Sequence, residues 1–135
     1  MLKHSQDETP IVYVDDNEKS LKELTLILKN NGFYVTALTG GFEALRTLER
    51  EKSYRGLVVK KEMAEMGGKE ITLLVRENLP KEKLPILMLI DEKPTKEELM
   101  ECMEFGVNAF ALRKDANAII KKLNDITGAQ ENKTK

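Results

Sequence analysis

Five short apolar runs alternating with five amphipathic stretches predict a doubly wound α/β sandwich, a (βα)5 unit around a five-stranded parallel sheet of order 2-1-3-4-5. Three observations carry this expectation. IVYV (11–14), GLVV (56–59) and PILMLI (85–90) are nearly continuous in apolar character, as strands covered by helices on both faces are. The segments between the runs place apolar residues at helical spacing. The alternation is unbroken along 135 residues, a length that suits one domain with a real core.

Residues 1–8 form a polar lead-in, expected to be flexible, and residues 9–127 form the domain. The first strand, IVYV, runs into Asp15 and Asp16. A helix then begins near Glu18, turns Leu21, Leu24, Ile27 and Leu28 inward, and stops at Gly32. FYVTAL (33–38) is the second strand, and residues 42–50 form a helix expected to bury Phe42, Leu45 and Leu48. The third strand ends at Lys60, and residues 69–77 repeat the helical theme with Ile71, Leu74 and Val75. PILMLI ends at Ile90 and Asp91. Thr95 and Glu98 spell a capping box, with Leu99 and Met103 on the apolar side of the helix that follows. NAFAL (108–112) leads into Arg113, and a last helix from Ala116 to Thr127 faces inward through Ile119, Ile120, Leu123 and Ile126. Residues 128–135 read as a polar tail.

Composition excludes several function classes. The 22 basic and 23 acidic side chains nearly cancel, against direct nucleic-acid binding by this domain. Cys102 is the single cysteine, so neither an intrachain disulfide nor a CxxC zinc site can form. His4, the single histidine, sits in the lead-in, away from any plausible catalytic triad. No apolar run approaches the roughly 18 residues of a membrane span, and the start lacks a signal-peptide core. The expected setting is cytoplasmic, with no membrane partner. The glycine pairs at 40–41 and 67–68 read as turn or cap residues, because no phosphate-loop pattern follows a strand.

In a doubly wound sheet, ligands collect at the carboxyl ends of the strands. Asp15 and Asp16 form a negative cluster there, fit for Mg²⁺, Mn²⁺ or a compensating cation, or equally for a turn that caps the next helix. Lys60 can neutralise them, while Lys61 reads as a surface lysine. Arg113 brings a further cation and Lys114 faces water. Asp91 ends the fourth strand, and Ile90 offers no hydroxyl. Lys60 as a Schiff-base nucleophile is disfavoured, because neighbouring carboxylates keep it protonated.

These strand-end residues, with IVYVDDNEKSLKELTLILKNNGFYVTALTGGFEAL, LVVKKEMAEMGGKEI, LPILMLI and GVNAFALRKD, resemble the receiver (CheY-like) domain of response regulators in two-component signalling. The resemblance covers about residues 9–127 and implies the flavodoxin-like fold. It gives Asp15 and Asp16 the role of Mg²⁺ ligands. It places the phosphoacceptor aspartate at Lys60, the phosphoryl-binding Thr or Ser at Ile90, the lysine at Arg113 and the switch aromatic at Phe110. Ala64 and Lys114 stand where that pattern has prolines. A lysine cannot form an acyl phosphate, and it removes one metal ligand.

The implied function is an atypical receiver, a phosphorylation-independent interaction module in which Lys60 and Arg113 form salt bridges with the acidic pair. No cofactor is expected, and Mg²⁺ binding at Asp15 and Asp16 would be vestigial and weak. A protein partner or a homodimer would use the surface of the fourth helix, fifth strand and fifth helix, which includes Glu97, Glu101, Glu104 and Phe110. The alternatives are a working phospho-receiver with a displaced acceptor such as Asp91, and a small enzyme using the Lys60 pocket. Enzymatic activity is not expected, because no nucleophile or substrate loop accompanies that pocket.

Overall fold

The computed structural model describes residues 8–129. Along the chain run β1 (Thr9–Val14), α1 (Glu18–Lys29), β2 (Phe33–Leu38), α2 (Gly41–Arg50), β3 (Gly56–Lys60), α3 (Gly68–Arg76), β4 (Ile86–Ile90), α4 (Lys96–Glu104), β5 (Ala109–Leu112) and α5 (Ala116–Thr127). The strands form one parallel sheet in the order β2-β1-β3-β4-β5, as the sequence predicts. The lead-in up to residue 7 and the tail from residue 130 lie outside the described residues. Among the described residues no helix is long and apolar enough to cross a membrane.

The near-continuous apolar runs have a direct cause. Successive strand residues point to opposite faces, and each face carries its own core. Val12, Val14, Val59 and Met88 pack with Ala44, Leu48, Ile71 and Val75 on the α2–α3 side. Ile11, Tyr13, Val58 and Leu87 pack with Leu24, Leu28, Ile119 and Leu123 on the α1–α5 side.

Three helix faces differ from the expected ones. Phe42 is 62% exposed, because α2 turns Gly41, Ala44 and Leu48 inward, and the small residues let the helix sit close to its neighbours. In α3, Thr72 is buried with Ile71 and Val75 while Leu74 is 39% exposed, one helical step off the inward stripe. In α4, Cys102 is the buried residue, and Met103 lies out toward solvent. The capping box of α4 forms as spelled: Thr95 Oγ1 accepts from Glu98 N–H at 3.1 Å, and Thr95 N–H donates to Glu98 Oε1 at 2.8 Å.

Arg76, at the end of α3, ties three chain segments together. Its Nε donates to Gly106 O at 2.9 Å, Nη1 to Leu79 O at 2.8 Å and Leu84 O at 2.9 Å, and Nη2 to Asn108 Oδ1 at 2.9 Å. The same Asn108 oxygen accepts from Ile86 N–H at 2.9 Å, at the start of β4. Burial pulls the Arg76 guanidinium below its ordinary pKa, partly offset by Glu82. Gly106 makes room for it with φ +118°, and a Cβ there would lie 2.7 Å from Arg76 Cγ.

Candidate functional site at the carboxyl ends of the strands

Tyr13 and Asp15 are two positions apart along β1 and its exit, so their side chains share a face. Asp15 is fully buried. Its Oδ2 accepts from the Tyr13 hydroxyl at 2.8 Å, and its Oδ1 accepts from Asn17 N–H at 2.9 Å. Lys60 Nζ stands 3.9 Å from the same Oδ1, at the loose end of ion-pair range. Asn17, not an aspartate, caps α1 by accepting from Ser20 N–H at 2.9 Å. The two readings of the acidic pair therefore meet in one residue: Asp15 shapes the turn and also faces a cation.

The Tyr13 phenol is pushed well above its ordinary pKa, first by burial, then by the charge of Asp15 and the hydrogen bond to it; Arg113 pulls weakly the other way. The hydroxyl thus stays a donor to a buried anion. Tyr13→Phe is expected to lose about 2 kcal/mol in urea denaturation at neutral pH, the range for a hydrogen bond to a charged group. The raised phenol pKa adds a pH signature. Its stabilisation is complete below the unfolded value near 10 and falls as pH rises beyond it. Between about pH 10 and 11 the parent should therefore lose up to ~1.4 kcal/mol more than the variant. Equal alkaline slopes would contradict this assignment.

Asp16 is exposed, and its Oδ2 accepts from Ala64 N–H at 2.8 Å. The expected pairing of Arg113 with the acidic pair needs correction. Arg113 Nε donates to Asp91 Oδ1 at 3.0 Å and Nη1 donates to Ser20 Oγ at 2.9 Å. Sheet register is the reason. Arg113 N–H bonds to Ile90 O at 2.8 Å, which sets the side chain beside Asp91, while β4 and β3 separate β5 from β1. Among the described residues, neither Arg113 nor Lys60 forms an ion pair with Asp16. Ile90 is buried in the α2–α3 core, and Phe110 packs partly against the same core while its carbonyl accepts from Lys122 Nζ at 2.7 Å. Glu62 is exposed, and Lys61 continues the β3–β4 ladder through its N–H to Leu89 O at 2.9 Å. After β3 the chain folds back tightly, because a Cβ on Gly68 would lie 2.9 Å from both Lys60 O and Met88 Cε.

Mg²⁺ asks for a nearly octahedral set of oxygens. Both Asp15 oxygens and one Asp16 oxygen already accept protein hydrogen bonds, and an ammonium stands beside them. Among the described residues, no three His, Cys, Asp or Glu side chains converge to hold a metal ion. The donor set does not fit a resident divalent cation.

A family model described as the response regulator receiver domain matches residues 11–124. The chain belongs to this family. The two-component response regulator ORR7 of Oryza sativa subsp. japonica is 25% identical over 114 residues, covering 84% of this chain and 53% of the relative. The hybrid signal transduction histidine kinase L of Dictyostelium discoideum is 26% identical over 117 residues, 84% of this chain but 7% of that protein. The receiver domain thus spans about half the length of the first relative. Among solved structures, a probable two-component response regulator/GGDEF domain protein superposes with a TM-score of 0.82 at 21% identity, over 91% of this chain and 50% of that one. The receiver domain of the putative response regulator NarL from Mycobacterium tuberculosis gives 0.76 at 17% identity, over 91% and 98% of the two chains. At these identities the superpositions show the shared fold.

Proposed function

We propose that this receiver domain is a phosphorylation-independent protein-interaction module of two-component signalling. One observation carries the reading: both carboxylates of the acidic pair already have partners within the domain. Asp15 takes Tyr13 O–H and Asn17 N–H beside the Lys60 ammonium, and Asp16 takes Ala64 N–H. Two of these partners stand where the receiver pattern departs, a lysine in place of the acceptor aspartate and an alanine in place of a proline. A proline at position 64 would have no N–H to give. The two departures therefore serve one end, the lysine setting a cation beside Asp15 and the alanine giving an N–H to Asp16.

A fixed arrangement of this kind leaves no phosphoryl-driven shift between states. Signalling then rests on what binds, and the surface of α4, β5 and α5 is the proposed contact for a protein partner or a second copy. It exposes Met100, Met103 and Leu112 among Glu97, Glu101 and Glu104. The proposed setting is cytoplasmic.

The test is titration of the domain with Mg²⁺ and beryllofluoride, followed by backbone amide NMR. The expected result is no saturable shift at Asp15, Asp16 or Asp91 at millimolar metal. Saturable shifts reaching Phe110 would overturn the reading in favour of a phospho-receiver with Asp91 as a displaced acceptor.

A further inference from the structure

The strand-end site opens on one side into a wider concavity that shares Asp16 and Ala64 with it. The loops after β1, β2 and β3 enclose a cleft of about 570 Å³, within the roughly 300–1,000 Å³ of ligand-binding pockets. Its wall is apolar and soft, formed by Phe42, Met63 and Met66. The Phe42 ring is 62% exposed, though it opens a helix whose inward stripe is formed by other residues. Thioethers beside an exposed ring make a surface that can adapt to an inserted side chain.

The rim is anionic. Asp16, Glu18, Glu43 and Glu65 line the cleft, all four are exposed, and no lysine or arginine lines it. The whole chain carries a formal charge of −1, so this is a local concentration and not a reflection of general acidity. Lys60, the nearby strand-end cation, faces Asp15 and does not line the cleft.

We propose that this cleft docks a segment of a partner protein in which an apolar side chain is flanked by lysine or arginine. The apolar side chain fills the space against Phe42 and Met66, and the flanking cations meet the rim. Such a rim attracts basic segments and disfavours acidic ones and nucleic-acid phosphates, so the charge sets specificity as well as encounter rate. The sheet order places β2 and β5 at opposite edges, so this cleft and the α4–β5–α5 surface can be occupied together. The inference does not depend on whether Lys60 has ended phosphoryl chemistry.

The probe is a blocked pentapeptide of alternating lysine and leucine, titrated against the domain by backbone amide NMR at about 0.1 M salt, where only nearby charges interact. Saturable shifts at Gly40, Phe42, Ala64 and Met66 are expected. Glu43→Gln with Glu65→Gln, and separately Phe42→Ser, should each weaken binding about tenfold. All three positions are exposed, and an otherwise unchanged amide spectrum verifies the fold. A lysine–serine peptide should bind far more weakly. The proposal is overturned if the cleft shows no saturable shift, if shifts spread equally to Glu97, Glu101 and Glu104, or if the lysine–serine peptide binds as well. The peptide titration is run without Mg²⁺ or beryllofluoride and its variants leave Asp16 unchanged, so the two readings fail separately.

Discussion

In metal-free buffer, Lys60→Asp is expected to lose about 4 kcal/mol of stability, the range for breaking a buried ion pair. Asp15 is fully buried, and Lys60, whose side chain is only 14% exposed, is the cation beside it. The substitution removes that cation and sets a second carboxylate against the first at a site where water screens poorly. It also supplies the third oxygen-bearing side chain that the pocket lacks. Mg²⁺ should then bind the folded state and restore about 1.4 kcal/mol once its concentration is about 10 times the dissociation constant. The parent should show no such dependence. Urea denaturation with and without about 10 mM Mg²⁺ gives both results, the concentration being ample for a typical millimolar site. A variant as stable as the parent, or one indifferent to Mg²⁺, would show that Lys60 does not stand in for a metal.

Arg76→Leu should destabilise the fold by about 3 kcal/mol, because it strips donors from several partly buried acceptors at once. The carbonyls of Leu79, Leu84 and Gly106 and the Asn108 amide oxygen all lose a partner. Gly106→Ala should cost a similar amount, about 3 kcal/mol, by adding left-handed backbone strain to a clash. The clashing atoms are Arg76 Cγ at 2.7 Å and Nε at 2.9 Å, in a side chain whose head group is held at four acceptors and cannot swing aside. The two substitutions attack the same bonds. The double variant should therefore lose clearly less than the sum, and a denaturant double-mutant cycle measures the difference. Strict additivity would mean that Gly106 is constrained by something other than Arg76.

The strands were legible because burial on both faces leaves a plain trace: the apolar runs match the observed strands to within two residues at each end. The helix faces were less so. Phe42 and Leu74 are more hydrophobic than Ala44 and Thr72, yet the smaller residues are buried where helices approach closely. At the site, strand ends told where Asp15, Asp16, Lys60, Asp91 and Arg113 would lie, but not who pairs with whom. Arg113 meets Asp91 through sheet register, a tertiary fact. Tyr13 was hidden inside an apolar run, where only its hydroxyl, two residues before an aspartate, marked it out. The Ala64 N–H belongs to the backbone, and its sole trace in the sequence is a proline that is not there.

Helix α4 offers the core one buried side chain, that of Cys102. The other four helices each bury three or four residues, so α4 is the helix the core holds least. Few buried apolar contacts place an element at the low-stability end of a fold, where local opening costs less than global unfolding. The helix at the proposed contact surface is thus also the most weakly anchored one.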